Sequence, residues 1–188
     1  MNKLRELIKA TEVLDVHGPD DLTITSLHQD SREVEQNGLF FAVRGTTLDG
    51  HQYINAALDK GAVAVVCETL PEILRNEATY VVVHDTALAL GQMAAKFFGN
   101  PSSQINLVGI TGTNGKTTTV TLLHSLFLEL GYQAGLISTI RNKINTTEIP
   151  ATQTTPDIIS LNRLLRQMAD AGCQYCFMEV SSHETVLA

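Results

Sequence analysis

Gly109-Ile110-Thr111-Gly112-Thr113-Asn114-Gly115-Lys116-Thr117-Thr118-Thr119 decides how the rest of the chain is read. An apolar run, Ile105 to Ile110, leads into it, and a long apolar helical pattern, Val120 to Leu130, follows. Strand, glycine-bearing loop with a Lys-Thr pair, then helix is the context in which such a loop binds phosphate. Glycines let successive backbone N–H groups point into one concavity, and the helix adds the positive end of its dipole. In that arrangement Lys116 reaches the β- and γ-phosphates and the Thr117 hydroxyl ligates Mg²⁺. The general pattern places a glycine five residues before Gly115, where this chain has Ile110; the glycine stands instead at Gly112, giving T-G-T-N-G-K-T. A Gly/Thr turn capping a helix beside a solvated lysine is the bland alternative, but loop, flanks and Lys-Thr pair all agree on nucleotide phosphate.

The 188 residues leave room for one or two domains with a real core, and 44% hydrophobic and 18% charged residues are ordinary for a globular protein. A net charge of −7 argues against general nucleic-acid binding, which needs a basic surface. No apolar run approaches the ~20 residues of a membrane span. The first ten residues mix charges at helical spacing and lack the apolar core of a secretory signal, so the cytoplasm is the expected location. Three cysteines fit a reducing compartment; Cys173 and Cys176 form a lone C-x-x-C at the start of an apolar strand and read as buried thiols.

Before the phosphate loop, Leu4 to Ala10 reads as a short helix and Leu22 to Leu27 as a half-buried strand running into Asp30-Ser31-Arg32. Gly38 to Val43 is a second strand, ending at Arg44-Gly45-Thr46-Thr47. After Asp49-Gly50 a helix carries Tyr53, Ile54, Ala57 and Leu58, with Gly61 at its end. Ala62 to Cys67 and Tyr80 to Val83 are buried strands, and Thr86 to Phe98 is a helix with an apolar stripe. Gly99 to Gln104 concentrates turn formers and marks a domain boundary. Beyond the phosphate-loop helix, Ala134 to Ile140 reads as a strand and Arg141 to Thr155 as loop or hairpin. Pro156-Asp157 opens a helix that Gly172 ends, and Tyr175 to Val180 is the last strand. Strands alternating with helices predict parallel, three-layer α/β sheets. The second domain shows only three strands, a thin sheet with an uncovered edge that reads as cut short.

Three blocks of residues resemble the N-terminal part of the Mur ligases, the ATP-dependent amide-forming enzymes of peptidoglycan precursor synthesis. They are Asp30-Ser31-Arg32 with Leu39 to Gly45 and Asp49-Gly50-His51; Thr111 to Thr118; and Thr154-Thr155-Pro156 with Met178-Glu179-Val180-Ser181-Ser182-His183. The last block points to the branch that adds the third residue of the stem peptide, the MurE type. The likeness covers essentially the whole chain. It implies that ATP phosphorylates the D-glutamyl carboxylate of UDP-MurNAc-L-Ala-D-Glu. An incoming diamino acid, meso-diaminopimelate or L-lysine, then attacks the acyl phosphate.

The resemblance implies roles for particular residues. Gly112, Thr113, Asn114, Gly115, Lys116, Thr117 and Thr118 bind ATP; Lys116 and Glu179 are catalytic; Thr117 and Glu179 hold Mg²⁺. Ser31, Thr154, Thr155 and Ser181 contact the UDP-muramyl dipeptide, with Arg32, Thr46 and Thr47 as weaker candidates. His51, following Asp-Gly at a helix start, reads as structural, and His183 stays outside the metal's first shell. Residues 1–100 are expected to bind the UDP-substrate and 105–188 to be part of an ATP-binding domain. The rest of the central sheet and a C-terminal amino-acid-binding domain are expected beyond Ala188, so turnover by these residues alone is expected to be poor, and the diamino acid is not readable. Two other readings stay open: a small P-loop kinase or NTPase that shares only the loop, and a stand-alone UDP-sugar-binding module.

Overall fold

The computed structural model describes residues 2–45, 48–149 and 156–180, which fall into two compact units, Met1–Phe97 and Phe98–Ala188.

The first unit begins with β1 (Asn2–Lys3), α1 (Leu4–Leu7) prolonged by a 3-10 turn at Ile8–Ala10, β2 (Val13–His17), β3 (Thr23–Ile24) and β4 (Ser26–His28). Then come β5 (Gly38–Phe41), a 3-10 turn at Gly50–Tyr53, α2 (Ile54–Asp59), β6 (Ala62–Cys67), β7 (Thr79–Val83) and α3 (Thr86–Phe97). The main sheet runs β2-β7-β6-β5-β4, parallel from β4 to β7, with β2 antiparallel on the β7 edge. The continuous apolar run of β6 is explained by this position, since five of its six residues are buried between layers. Phe40, Val65, Cys67 and Tyr80 pack with Ile54 and Ala57 of α2 in one core cluster. The strand expected over Leu22 to Leu27 is broken at Thr25, whose amide and hydroxyl turn aside to the carbonyls of Asn37 and Gln36. Strand β2 was not expected from sequence. It is an edge strand with an irregular register between Val13 and Asp15 and a half-exposed Leu14, so its alternation is blurred.

The second unit comprises β8 (Asn106–Ile110), α4 (Lys116–Glu129), β9 (Ala134–Ile137), β10 (Asn142–Ile144), β11 (Thr147–Ile149), α5 (Ile158–Asp170) and β12 (Tyr175–Glu179). Its sheet runs β11-β10-β9-β12-β8, with β9, β12 and β8 parallel and the β10–β11 hairpin antiparallel on the β9 edge. The expectation of three strands is therefore low by two. The polar, β-branched stretch after Arg141 folds as a hairpin and covers the edge that three strands would have exposed. Strand β9 also stops at Ile137 instead of Ile140, because the Ser138 hydroxyl donates to the Arg141 carbonyl at 2.7 Å and accepts from the Arg141 amide at 3.1 Å, turning the chain.

Alternate residues of each strand serve opposite faces. Ile137 and Cys176 join Leu164, Leu165 and Met168 of α5, while Leu136 and Phe177 join Val120 of α4, giving three layers. Asp157 caps α5, its carboxylate accepting from the amides of Ile159 and Ser160 at 2.9 and 3.0 Å. Helix α4 also exposes Leu122 and Leu126, 65% and 51% accessible, and its C-cap Leu130 is 62% accessible. No helix among the described residues is long and apolar enough to cross a membrane.

Candidate functional site

The phosphate loop leaves the carboxyl end of β8 and enters α4 at Lys116, where ligands bind in parallel α/β sheets. Gly112 and Gly115 adopt φ of +143° and +81°, values that L side chains rarely take, and residues 111–115 lie exposed. Gly115, in the left-handed conformation, is also the N-cap of α4, so the first free N–H groups of a fourteen-residue helix open into the loop. The Lys116 ammonium folds back and donates to the Gly112 carbonyl at 2.6 Å. Ile110, where the general pattern has a glycine, ends β8 and pairs with β12.

That pairing positions the acid. Glu179 stands in register with Ile110, and the Val180 amide donates to the Ile110 carbonyl at 2.9 Å. Glu179 is 7% accessible, and one of its oxygens accepts from the Thr139 amide at 3.2 Å. No other hydrogen bond or ion pair to this carboxylate forms among the described residues. No group of three or more His, Cys, Asp or Glu able to hold a metal occurs among them either. One carboxylate and the Thr117 hydroxyl still suit Mg²⁺, a hard cation that keeps several waters and takes one or two protein carboxylates plus substrate phosphates.

Ser31 and Arg32 belong to the first unit. They line a cavity of about 610 Å³ together with Gln29, Asp30, Phe40, Val43, Gly45, Leu48, Gly50, Tyr53 and Ala56. Ser31 is buried. Asp30 accepts from the Arg32 amide and guanidinium, the latter at 2.7 Å, and these bonds pull its carboxyl down to about 2. Sequence reasoning missed Phe40 and Tyr53 as wall residues, since both look like ordinary apolar positions of a strand and a helix. Thr46, Thr47, Thr154, Thr155, Ser181 and His183 lie outside the described residues. Lys116, Thr117 and Glu179 thus belong to one unit, with Glu179 paired beside the strand that leads into the loop, and Ser31 and Arg32 line the cavity of the other.

All three cysteines are free and buried, and burial pushes the Cys176 thiol up to about 12, which leaves it unreactive.

Two family models match the chain: Mur ligase family, catalytic domain, over residues 23–98, and Mur ligase middle domain, over residues 110–187. A UDP-N-acetylmuramoyl-L-alanyl-D-glutamate--2,6-diaminopimelate ligase of Cytophaga hutchinsonii is 52% identical over 185 residues, covering 98% of this chain and 38% of that protein. The Bacteroides thetaiotaomicron protein of the same name is 54% identical over 180 residues, 96% of this chain and 37% of that one. The chain thus spans less than two-fifths of the length of these relatives. Among solved structures, another 2,6-diaminopimelate ligase superposes with a TM-score of 0.79 at 24% identity, over 97% of this chain and 36% of its own. A MurF ligase from Thermotoga maritima in complex with ADP gives 0.56 at 23% identity, over 86% and 33%.

Proposed function

The chain belongs to the Mur ligase family, and we propose that it is the UDP-substrate- and ATP-binding portion of a cytoplasmic, ADP-forming ligase of the MurE type. Its reaction joins a diamino acid, meso-diaminopimelate or L-lysine, to UDP-MurNAc-L-Ala-D-Glu. The γ-phosphoryl of ATP passes to the D-glutamyl carboxylate with release of ADP; the amine then displaces phosphate from the acyl phosphate and leaves an amide. The observation that carries this reading is the register of Glu179 with Ile110, which stands a nearly buried carboxylate beside a glycine-bearing Lys-Thr loop. The name shared by the Cytophaga hutchinsonii and Bacteroides thetaiotaomicron relatives favours diaminopimelate as the amino acid.

Bringing a carboxylate up to a triphosphate opposes like charges, so catalysis here is chiefly electrostatic and positional. The backbone N–H groups from Gly112 to Thr118 cradle the phosphates, and Lys116 exchanges the Gly112 carbonyl for phosphate oxygens. Thr117 and Glu179 would hold Mg²⁺, which would supply positive charge to offset that of the phosphoryl oxygens. The Thr139 amide fixes one Glu179 oxygen and so orients the other. Ser31 contacts the UDP moiety, with Arg32, Thr46 and Thr47 around it. Thr154, Thr155 and Ser181 hold the muramyl peptide.

A binding-only role for these 188 residues has one observation in its favour, that the cavity is lined by the first unit alone. Thermal unfolding with UDP-MurNAc-L-Ala-D-Glu, with Mg·ATP and with both separates the readings. A native-state ligand at a hundredfold excess over Kd stabilises by about 2.7 kcal/mol. A shift with the UDP-dipeptide that an unrelated UDP-sugar does not reproduce supports the ligase reading. A shift with Mg·ATP only would favour a generic nucleotide enzyme and overturn it.

A further inference from the structure

Gly45, Leu48 and Gly50, which line the cavity of the first unit, are tied together by backbone bonds. Arg44 and Asp49 form an isolated antiparallel bridge, the Gly45 amide donates to the Leu48 carbonyl at 2.8 Å, and the Gly50 amide donates to the Val43 carbonyl at 2.9 Å. Behind them sits His51, its side chain only 13% accessible, with a partner on each ring nitrogen.

Those two partners fix its tautomer. The Glu68 amide lies 2.9 Å from Nε2, and a backbone N–H can only donate, so Nε2 carries the lone pair. The ring hydrogen therefore stands on Nδ1 and is donated to Asp49 Oδ1 at 2.6 Å. The same Asp49 oxygen accepts the His51 amide at 3.0 Å, and these two bonds hold the Asp49 carboxyl below the usual carboxylate range. Arg44 bridges the two acids, 3.6 Å from Asp49 and 3.3 Å from Glu68. Glu68 in turn caps α3, accepting from the Thr86 amide and hydroxyl at 3.2 and 3.0 Å. A continuous set of bonds thus joins the cavity wall, through Asp49, His51 and Glu68, to the buried end of β6 and the start of α3.

We propose that His51 is a positioning residue: as the Nδ1–H tautomer wedged between Asp49 and the Glu68 amide, it holds the cavity-lining residues Gly45, Leu48 and Gly50 in place and so sets the affinity of the cavity for a uridine nucleotide. The proposal rests on the UDP-binding reading of that cavity. Asp49 and His51 do not themselves line the cavity; the effect reaches the ligand through the wall.

The test uses the 188-residue chain with UDP as the probe, measured by calorimetry, alongside amide hydrogen exchange at Gly45 and Gly50. His51→Ala is expected to weaken UDP about tenfold and to speed exchange at both amides, leaving Mg·ATP affinity unchanged. His51→Asn, which keeps a donor near the Nδ1 position, recovers part of both losses. Should His51→Ala fail to fold, Asp49→Asn loosens the same contact while keeping an acceptor for the His51 amide. Unaltered exchange at Gly45 and Gly50, or unaltered UDP affinity, overturns the proposal. A wild-type chain that binds no UDP overturns the uridine reading instead, and the exchange rates alone then decide whether His51 positions the wall.

Discussion

Lys116 and Gly112 close the phosphate loop on itself: the lysine ammonium donates to the glycine carbonyl at 2.6 Å across four residues. In the proposed function Lys116 meets phosphate, and this contact already holds its ammonium at the loop, so binding would need only an exchange of one acceptor for another. The contact is exposed, so it contributes little to folding. Lys116→Ala is expected to weaken Mg·ATP at least tenfold while moving the urea midpoint by less than about 0.5 kcal/mol equivalent. Equilibrium dialysis beside a denaturation curve checks both halves.

Gly50 is a glycine for reasons of space. A Cβ there would meet the Val43 carbonyl oxygen at 2.7 Å and backbone atoms of Ala42 and Val43 at 2.8 Å, none of which can swing aside as a side chain could. Gly50→Ala should therefore displace the cavity wall and cost about 1–3 kcal/mol. Chemical denaturation gives the stability, and UDP calorimetry reports the wall.

The carboxylate of Asp157 satisfies two amides at the start of α5 and also accepts from the Ser160 hydroxyl at 2.7 Å. Asp157→Ala removes all three bonds and should destabilise the second unit by about 1 kcal/mol. Asp157→Asn should recover most of that loss. Circular dichroism during urea titration is sufficient to see it.

His124 gives the second unit a pH dependence. Burial lowers its pKa from 6.5, opposed only in part by the carbonyls of Ala134 and Asn145, with the Lys143 charge adding to the lowering. The folded state then binds fewer protons than the unfolded state wherever the two differ. His124 thus contributes stability that is complete above about pH 6.5 and is lost as pH falls through the lowered folded value. Urea midpoints taken between about pH 7.5 and about pH 5.5 should fall with acidity, and His124→Gln should flatten that part of the slope.

Much of this was legible in local sequence. The phosphate loop is one stretch of eleven residues whose glycines, lysine and threonines need no distant partner to be read. The run Ala62 to Cys67 announces a strand covered on both faces, and Asp157 with Gly172 brackets a helix, because caps and periodicity are local properties. What escaped depends on pairing. Val13 to His17 becomes a strand only because β7 offers it an edge; the stretch after Arg141 read as loop or hairpin, and pairing with β9 decides for the hairpin. Glu179 was expected at a strand end beside the phosphate loop, but its exact register with Ile110, like the bond from the Glu68 amide to His51, joins residues far apart in the chain. His51 read as structural on its own neighbours; its tie to the cavity wall appears only once β6 is folded beside it.

The hairpin that closes one side of the second sheet makes that sheet unequal at its two ends. On the hairpin side the outermost strand, β11, is three residues long with Thr147 and Glu148 facing water, a poor template for another chain. On the other side β8 runs for five residues, exposes Leu107 at 39%, and has no neighbour beyond it among the described strands. Among the described strands, the second sheet therefore offers open backbone donors and acceptors at β8 and few at β11, so a further strand would add beside β8 and not beside the hairpin.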